Sequence, residues 1–565
     1  MRTRRMQAGR RARWRCAAVV VAAGMIVAGC GGGGDESAAG LSDAIGSTSD
    51  INPKSVDELR EGGNLRLATT DYPANWNILS NDGNNGEIGY IVRAMLPRSF
   101  EVDAAGKLSV DTDFFTDIQL TSTDPMRVTY SINPKAVWSD GSPITWEDLA
   151  AQAHALSGRD KRYQIAITNG FEFVDKVERG TDDQQAVLTF SKPYADWRGQ
   201  FSGNSALYPK SVTSTPEAFN TGLTDAITLT AGPFIVSATD RGQGRITLGR
   251  NPAWWGDKPV LDTITYSVLD ATSWVQALQN NEIDLIRLTT LDDVKTVRGT
   301  EGLVVRRAPG NRWRHLTFNG APGSILSEEG VRVAISKAID RQGIVNAMQN
   351  GLVEDPKPLN NHIYLQGQKG YQDNSLGFDP AAAARQLDDL GWKLNGEVRE
   401  KDGRKLVIRD VMYNDPTWVQ IAQIIQQNLA AIGVQLNIDT KPAAGLFTDV
   451  IQPGDFDAAQ YVYEGDPFPL SSIRQVYYYD PTDLQSNFGR IGSPELNALI
   501  EQTLTELDPQ KSIDLANQVD RAVFEEGHSL PLMQSDGSFG ARTTLANIGS
   551  PGLATYDYTK IGFTK

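Results

Sequence analysis

VWSDGSPIT, residues 137–145, joins two kinds of backbone in one short run. The residues before it, from Val128, read as a strand. Asp140 and Gly141 fit tight-turn chemistry, and Ser142-Pro143 completes the turn. WEDLAAQAHAL, residues 146–156, then reads as a helix capped near Thr145.

The same alternation extends outward in both directions. NLRLATTDY (64–72) has alternating apolar residues and reads as a strand, as do QAVLTF (185–190), RITLGR (245–250) and LDTITYSVLD (261–270). SWVQALQNNEIDLI (273–286) reads as a helix, an Asn turn and a short strand. Later elements are mostly helices with marked ends. Asp379-Pro380, Ser493-Pro494 and Asp508-Pro509 each place a cap before a proline at the first helical position. Gly391 and Gly433 stop helices, and the second stop leads into a strand. No repeat of 20 to 50 residues is evident. The pattern predicts an α/β chain with mixed sheets.

The amino terminus has a different character. Residues 1–15 carry seven arginines and no acid, and residues 16–29 are apolar or small. This apolar run is short of the ~20 residues a spanning helix needs. Val27-Ala28-Gly29-Cys30 then resembles a bacterial lipoprotein signal. The resemblance implies cleavage before Cys30 and a diacylglyceryl group on its thiol. A plain amino-terminal anchor with an incidental cysteine is the competing reading. Residues 30–61, with GGGGDES (31–37) and GSTSD (46–50), read as the lipidated cysteine and a flexible tether.

Composition narrows the function. Cys16 lies within the signal, so the mature chain has no second cysteine for a disulfide or a thiolate metal site. Loss of seven positive charges with the signal takes the net charge from −15 to −22. That balance argues against binding nucleic acid or anionic lipid by charge. No G-x-S-x-G, H-E-x-x-H, P-loop or post-strand G-x-G-x-x-G occurs. His154, His315, His362 and His528 share no metal-ligand spacing and read as surface or packing residues. Carboxylates are too many to single out an acid/base pair. No cofactor or metal is expected, and binding is the chemistry in view.

Several stretches together resemble the family 5 extracellular solute-binding proteins of ABC importers, the peptide- and nickel-binding group. The 137–145 turn looks like the family's W-S-D-G-x-P-[IV]-T, with Asp148 on the helix after it. Ala231-Gly232-Pro233-Phe234 and Arg250-Asn251-Pro252-Ala253-Trp254-Trp255-Gly256 match its middle segment. Ala277–Asp284 looks like its A-L-x-x-G-E-I-D turn, and Val331–Arg341 its V-R-x-A helix. Order and spacing hold from about residue 62 to the end. NLRL…DGNN early and DPFPLSS late look most like the oligopeptide-binding lipoproteins of actinobacteria. Trp138, Trp254 and Trp255 read as core or turn residues.

The resemblance implies a bilobal periplasmic-binding-protein-like fold (type II, peptide-binder class with an inserted subdomain), two mixed-sheet lobes joined by a hinge. Lobe I is expected from 62–98, 229–308 and 532–565, its inserted subdomain from 99–228, and lobe II from 309–531. It implies a membrane-anchored, extracytoplasmic, monomeric binder of oligopeptides that delivers them to permease subunits served by separate ATPases, and is itself no enzyme. A non-peptide ligand on the same fold (a glycan, a glycolipid headgroup or a metal chelate), with a regulatory role, is the alternative.

It also implies a site. The family's W-x-x-D element, whose aspartate pairs with the ligand's α-ammonium, falls on Tyr463 to Asp466. Val462, Tyr463, Glu464 and Gly465 are expected to line the ligand, with Gly465 letting its backbone approach. The competing reading of Asp466 is a turn cap before Pro467. Asp82, Gly83 and Asn84 match the first lobe's ligand-flanking loop, although D-G-N-N is equally a common turn. Trp418 sits near a second-lobe contact, or in the core. Where the family's oligopeptide binder places arginines for the peptide's carboxyl end, this chain has Gln460 and Ile451.

Overall fold

A computed structural model of the chain describes residues 49–565 except 204, 354, 443, 444 and 466. Residues 1–48, on which the expected signal and Cys30 fall, lie outside the described residues. Among the described residues no helix is long and apolar enough to cross a membrane.

Twelve strands build the two main sheets: β1 (Asn64–Thr69), β2 (Phe234–Asp240), β3 (Arg245–Arg250), β4 (Thr263–Val268), β5 (Leu285–Arg287), β6 (Leu303–Arg307), β7 (Arg312–Phe318), β8 (Val407–Tyr413), β9 (Gln435–Lys441), β10 (Ala458–Glu464), β11 (Ser529–Gln534) and β12 (Ser538–Arg542). The first sheet has seven strands in the order β6-β12-β5-β1-β4-β3-β2, and the second has five in the order β9-β8-β10-β7-β11. Both are mixed: β1 pairs β4 in parallel and β3 pairs β4 antiparallel, while β8 pairs β9 in parallel and β7 pairs β10 antiparallel.

The chain passes between the sheets through 308–311 and again through 535–537. These crossings lie side by side, with Gly310 N–H donating to the Ser535 carbonyl at 3.1 Å. Gly537 has φ +64°, and a Cβ there would lie 1.7 Å from the Ala308 carbonyl oxygen. Only glycine fits so close a backbone contact.

The seven-stranded sheet shares one continuous core with the region 99–228. Leu65, Ile246 and Ile264 belong to the same buried cluster as Phe115, Tyr130 and Leu188 of an antiparallel four-stranded sheet. The helix Trp146–Ala155 begins where the sequence predicts, with Asp148 Oδ2 accepting the Thr145 N–H at 2.9 Å. Trp138 is buried, and Trp254 and Trp255 pack on Phe114 with ring centroids 5.8 and 5.5 Å away. The five-stranded sheet has its own core. Leu316, Ile408 and Leu436 pack there against Ile421, Ile425 and Leu429 of helix α2 (Pro416–Ala430). Helix α1 (Gly86–Val92) of the first lobe faces the end of β10, with the Tyr90 hydroxyl donating to the Glu464 carboxylate.

The expected tether extends too far. Residues 49–61 are folded onto the carboxyl terminus: Leu59–Arg60 pairs antiparallel with Gly562–Thr564, and Asp50 forms a bridge with Ser550. Leu59 is buried against Val260 and Ala546. The composition of 49–61 is tether-like, but its strand partner lies about 500 residues away, beyond any local pattern.

Candidate functional site

Between the two sheets lies a cleft of about 2000 Å³. Its first wall includes α1 and the loop before it, capped by Asn85, whose side chain accepts the Glu87 N–H at 2.8 Å. Its second wall includes β7, the end of β10 and the start of α2.

At the end of β10, Val462, Tyr463, Glu464 and Gly465 all line the cleft. Strand pairing explains what β10 offers there. Its register with β7 runs from Phe318↔Ala458 to Arg312↔Glu464, whereas β8 pairs only with Ala458 and Ala459. Beyond Ala459, the β8-facing edge of β10 has no strand partner among the described residues. Such an edge is a template for another extended chain.

Glu464 crosses the cleft instead of lying free on it. Its carboxylate accepts the Tyr90 hydroxyl at 2.8 Å and the Asn311 side-chain amide at 3.1 Å, with Arg93 at 3.6 Å. Burial alone would raise its pKa. Arg93, Arg312 and these hydrogen bonds outweigh burial and hold it below the ordinary carboxylate value. Behind Tyr90, Arg287 pairs with Glu87 and lies 5.3 Å from the Tyr90 ring.

Tyr463 stacks flat on His315, centroids 4.4 Å apart, and its hydroxyl lies 3.4 Å from that of Tyr461. Gly465 lines the cleft, yet the chain itself fills the space its missing side chain leaves: a Cβ would meet Leu365 at 2.6 Å and the Asn311 carbonyl at 3.0 Å. Trp418 is buried in a small cluster with Met412 and Ala422 and also forms part of the wall. Across the cleft, Asp82 and Asn84 are exposed to it. Gly83 is buried and does not line it; a Cβ there would fall 2.0 Å from the Asn77 carbonyl oxygen. Asp466 lies outside the described residues.

Gln460 and Ile451 are fully buried and away from the cleft wall. Gln460 donates to the buried Asp410 carboxylate at 2.5 Å. These two positions therefore face the core, and the basic residues of this wall come from the neighbouring strand, as Arg312 and Arg314. Sequence reasoning passed over both. The available signal was the spacing of RWR at 312–314, two charges on one face of a strand.

The fold gathers three of the four histidines through shared aromatic contacts. Trp313 packs on His315 and His362, and Tyr477 on His362 and His528. All three are buried, while His154 is exposed. His362 Nδ1 lies 2.7 Å from Asp520 Oδ1. No group of three metal-ligating side chains occurs among the described residues.

The model for the bacterial extracellular solute-binding proteins, family 5, matches residues 113–483. The oligopeptide-binding protein OppA of Mycobacterium tuberculosis is 53% identical over 547 residues, covering 96% of this chain and 92% of that one. Among solved structures, the periplasmic EDTA-binding protein EppA superimposes with a TM-score of 0.83 at 25% identity, covering 93% of this chain and 99% of that one. The oligopeptide-binding protein AppA of Bacillus subtilis, in complex with a nonapeptide, does so with a TM-score of 0.79 at 18% identity, covering 90% and 100%. These neighbours share the bilobal periplasmic-binding architecture.

Proposed function

The chain belongs to the bacterial extracellular solute-binding proteins of family 5, and we propose that it captures oligopeptides in its interlobe cleft and delivers them to the permease of an ABC importer. The observation that carries this reading is the unpaired edge of β10 where it enters the cleft. An extended peptide added there gains main-chain hydrogen bonds that ignore side-chain identity. A cleft of about 2000 Å³ exceeds the roughly 300–1,000 Å³ typical of small-molecule sites. The 53% identity to a protein named for oligopeptide binding supports the same ligand class.

In this reading Asp466 pairs with the peptide's α-ammonium, and Val462, Tyr463 and Gly465 form the adjoining wall. Trp418, Asp82 and Asn84 flank the ligand. Gly83 shapes the Asp82–Asn84 turn from below. Glu464 joins the lobes. The lobes follow 62–98, 229–308 and 532–565, with 99–228 inserted, against 309–531; the paired crossings serve as the hinge. Closure buries the ligand and presents one surface to the permease. Cys30 carries the lipid that holds a monomer at the outer face of the membrane. Binding energy drives the cycle, and the transporter's separate ATPases supply the hydrolysis.

Native mass spectrometry of the mature protein as purified tests this reading. A set of short peptides as the retained ligand supports it. A second reading, a polycarboxylate or metal-chelate ligand, is favoured by the likeness to the EDTA-binding protein; such an adduct in place of peptides would replace the proposal.

A further inference from the structure

Arg314 stands out on the cleft wall. Its guanidinium carbon lies 4.0 Å above the Trp418 ring. Both residues line the cleft. Its Nη1 is buried and has no hydrogen-bond partner among the described residues. A stacked guanidinium is held flat and in place, so its free N–H bonds point in fixed directions. A buried donor left unpaired carries a desolvation cost that an incoming acceptor removes.

The chain's own acids do not complete it. Asp415 attracts Arg314, but its carboxylate caps α2, accepting the N–H groups of Thr417 at 2.9 Å and Trp418 at 3.4 Å. Asp536 is engaged with the Ser538 hydroxyl. Arg312, two residues earlier and on the same strand face, adds a second positive charge to the same wall. Its register partner Glu464 is occupied by Tyr90 and Asn311. Burial, the main influence on Arg314, brings its pKa down to about 10, which leaves it charged at neutral pH.

We propose that Arg314, supported by Arg312, is a specificity-determining residue that binds a carboxylate of the ligand. The inference rests on the peptide reading above. A planar guanidinium with unspent donors matches a carboxylate in both charge and shape. The carboxylate comes from the peptide's chain end or from an acidic side chain. Arg314 lies opposite Val462 in the β7–β10 register, beside the stretch of β10 whose other edge is unpaired. An extended chain on that edge runs past the guanidinium.

Isothermal titration calorimetry of the mature protein tests this with three peptides. One is a pentapeptide with neutral side chains and a free carboxyl end; the second is its carboxamide; the third is the carboxamide with one glutamate. The wild type is expected to bind a carboxylate-bearing peptide, either the free acid or the glutamate carboxamide, at least ~10-fold more tightly than the neutral carboxamide, the value of one charge-assisted hydrogen bond. A gain by the free acid alone assigns the site to the chain end; a gain by the glutamate peptide alone assigns it to side chains; a gain by both means that the site takes either carboxylate. Arg314→Met keeps an aliphatic stem on Trp418 and is expected to abolish the preference, while Arg314→Lys retains part of it. Equal wild-type affinity for all three peptides overturns the inference, as does a folded Arg314→Met protein that keeps the preference. If Arg314→Met fails to fold, the wild-type comparison and Arg314→Lys decide. Failure of the wild type to bind any of the three overturns the peptide reading, and this inference with it.

Discussion

The Tyr90 hydroxyl donates to the Glu464 carboxylate at 2.8 Å, and this bond joins the two lobes across the cleft. Tyr90 sits in α1, and Glu464 ends β10 of the five-stranded sheet. Arg93 and Asn311 contact the same carboxylate. A group expected only to touch ligand is thus also a clasp between the walls that enclose it.

Removing that clasp should favour opening. Tyr90→Phe deletes one hydrogen bond to a charged acceptor, about 1.5 kcal/mol, or roughly tenfold in the closing equilibrium. The expected result is faster ligand dissociation in stopped-flow fluorescence, with the melting temperature little changed. An unchanged dissociation rate would show that closure does not depend on this bond. Because the folded-state pKa of Glu464 is lowered, its contribution is present above the ordinary carboxylate range. It is lost only as pH falls below that range. Dissociation rates should therefore stay flat from pH 8 to 5.

Asp466 is proposed to hold the ligand's amino terminus. Asp466→Ala should weaken peptides with a free α-ammonium by about 2–3 kcal/mol, roughly 30- to 160-fold. Amino-acetylated peptides, weak on the wild type, should bind both proteins alike. Calorimetry on the four combinations forms a cycle, and zero coupling would remove the assignment.

Asp410 offers a stability test independent of ligand. Its side chain is buried, Oδ1 has no hydrogen-bond partner among the described residues, and burial pushes its pKa up to about 7 despite the Gln460 hydrogen bond. The folded state therefore retains a proton that the unfolded state has released. Stability from this group is full below the unfolded carboxylate pKa of ~4 and is lost as pH rises through about 7. Asp410→Asn should remove that decline and raise stability at pH 8 by roughly 2–4 kcal/mol. Urea unfolding at pH 5 and pH 8 measures it; parallel pH curves for the two proteins would refute it.

Asp520 anchors the segment that follows Leu359. Its carboxylate accepts the His362 N–H at 2.8 Å and the Asn374 amide at 2.7 Å, and meets His362 Nδ1 at 2.7 Å. Asp520→Ala leaves buried partners unsatisfied and should cost about 3 kcal/mol or more. Urea unfolding at pH 7 reads this loss directly, and a cost below about 1 kcal/mol would mean that water replaces the carboxylate.

Local rules carried the sequence a long way. Caps at Thr145, Asp379, Ser493 and Asp508 begin helices as expected, and Gly391 and Gly433 stop them with φ +88° and +77°. Capping and turn chemistry act within four residues, so they are written in the sequence next to their effect. Expectations at sequence distance fared differently. The stretch 49–61 has the composition of a tether, and nothing near it in sequence shows the strand Gly562–Thr564 with which it pairs.

The site divides along the same line. Motif order picked out β10, the 81–85 loop and Trp418, all of which reach the cleft except for the buried Gly83. It did not show that Gln460 and Ile451 face the core, nor that Arg314 rests on Trp418. By itself the sequence determined the elements, their order and the family, because these rest on short-range chemistry and on motif spacing. Only the tertiary structure decided which charges are already spent, as on Glu464, and which remain free, as on Arg314. A charge is neutralised by whatever lies a few ångströms away, and in a chain that crosses twice between lobes, those neighbours lie hundreds of residues apart.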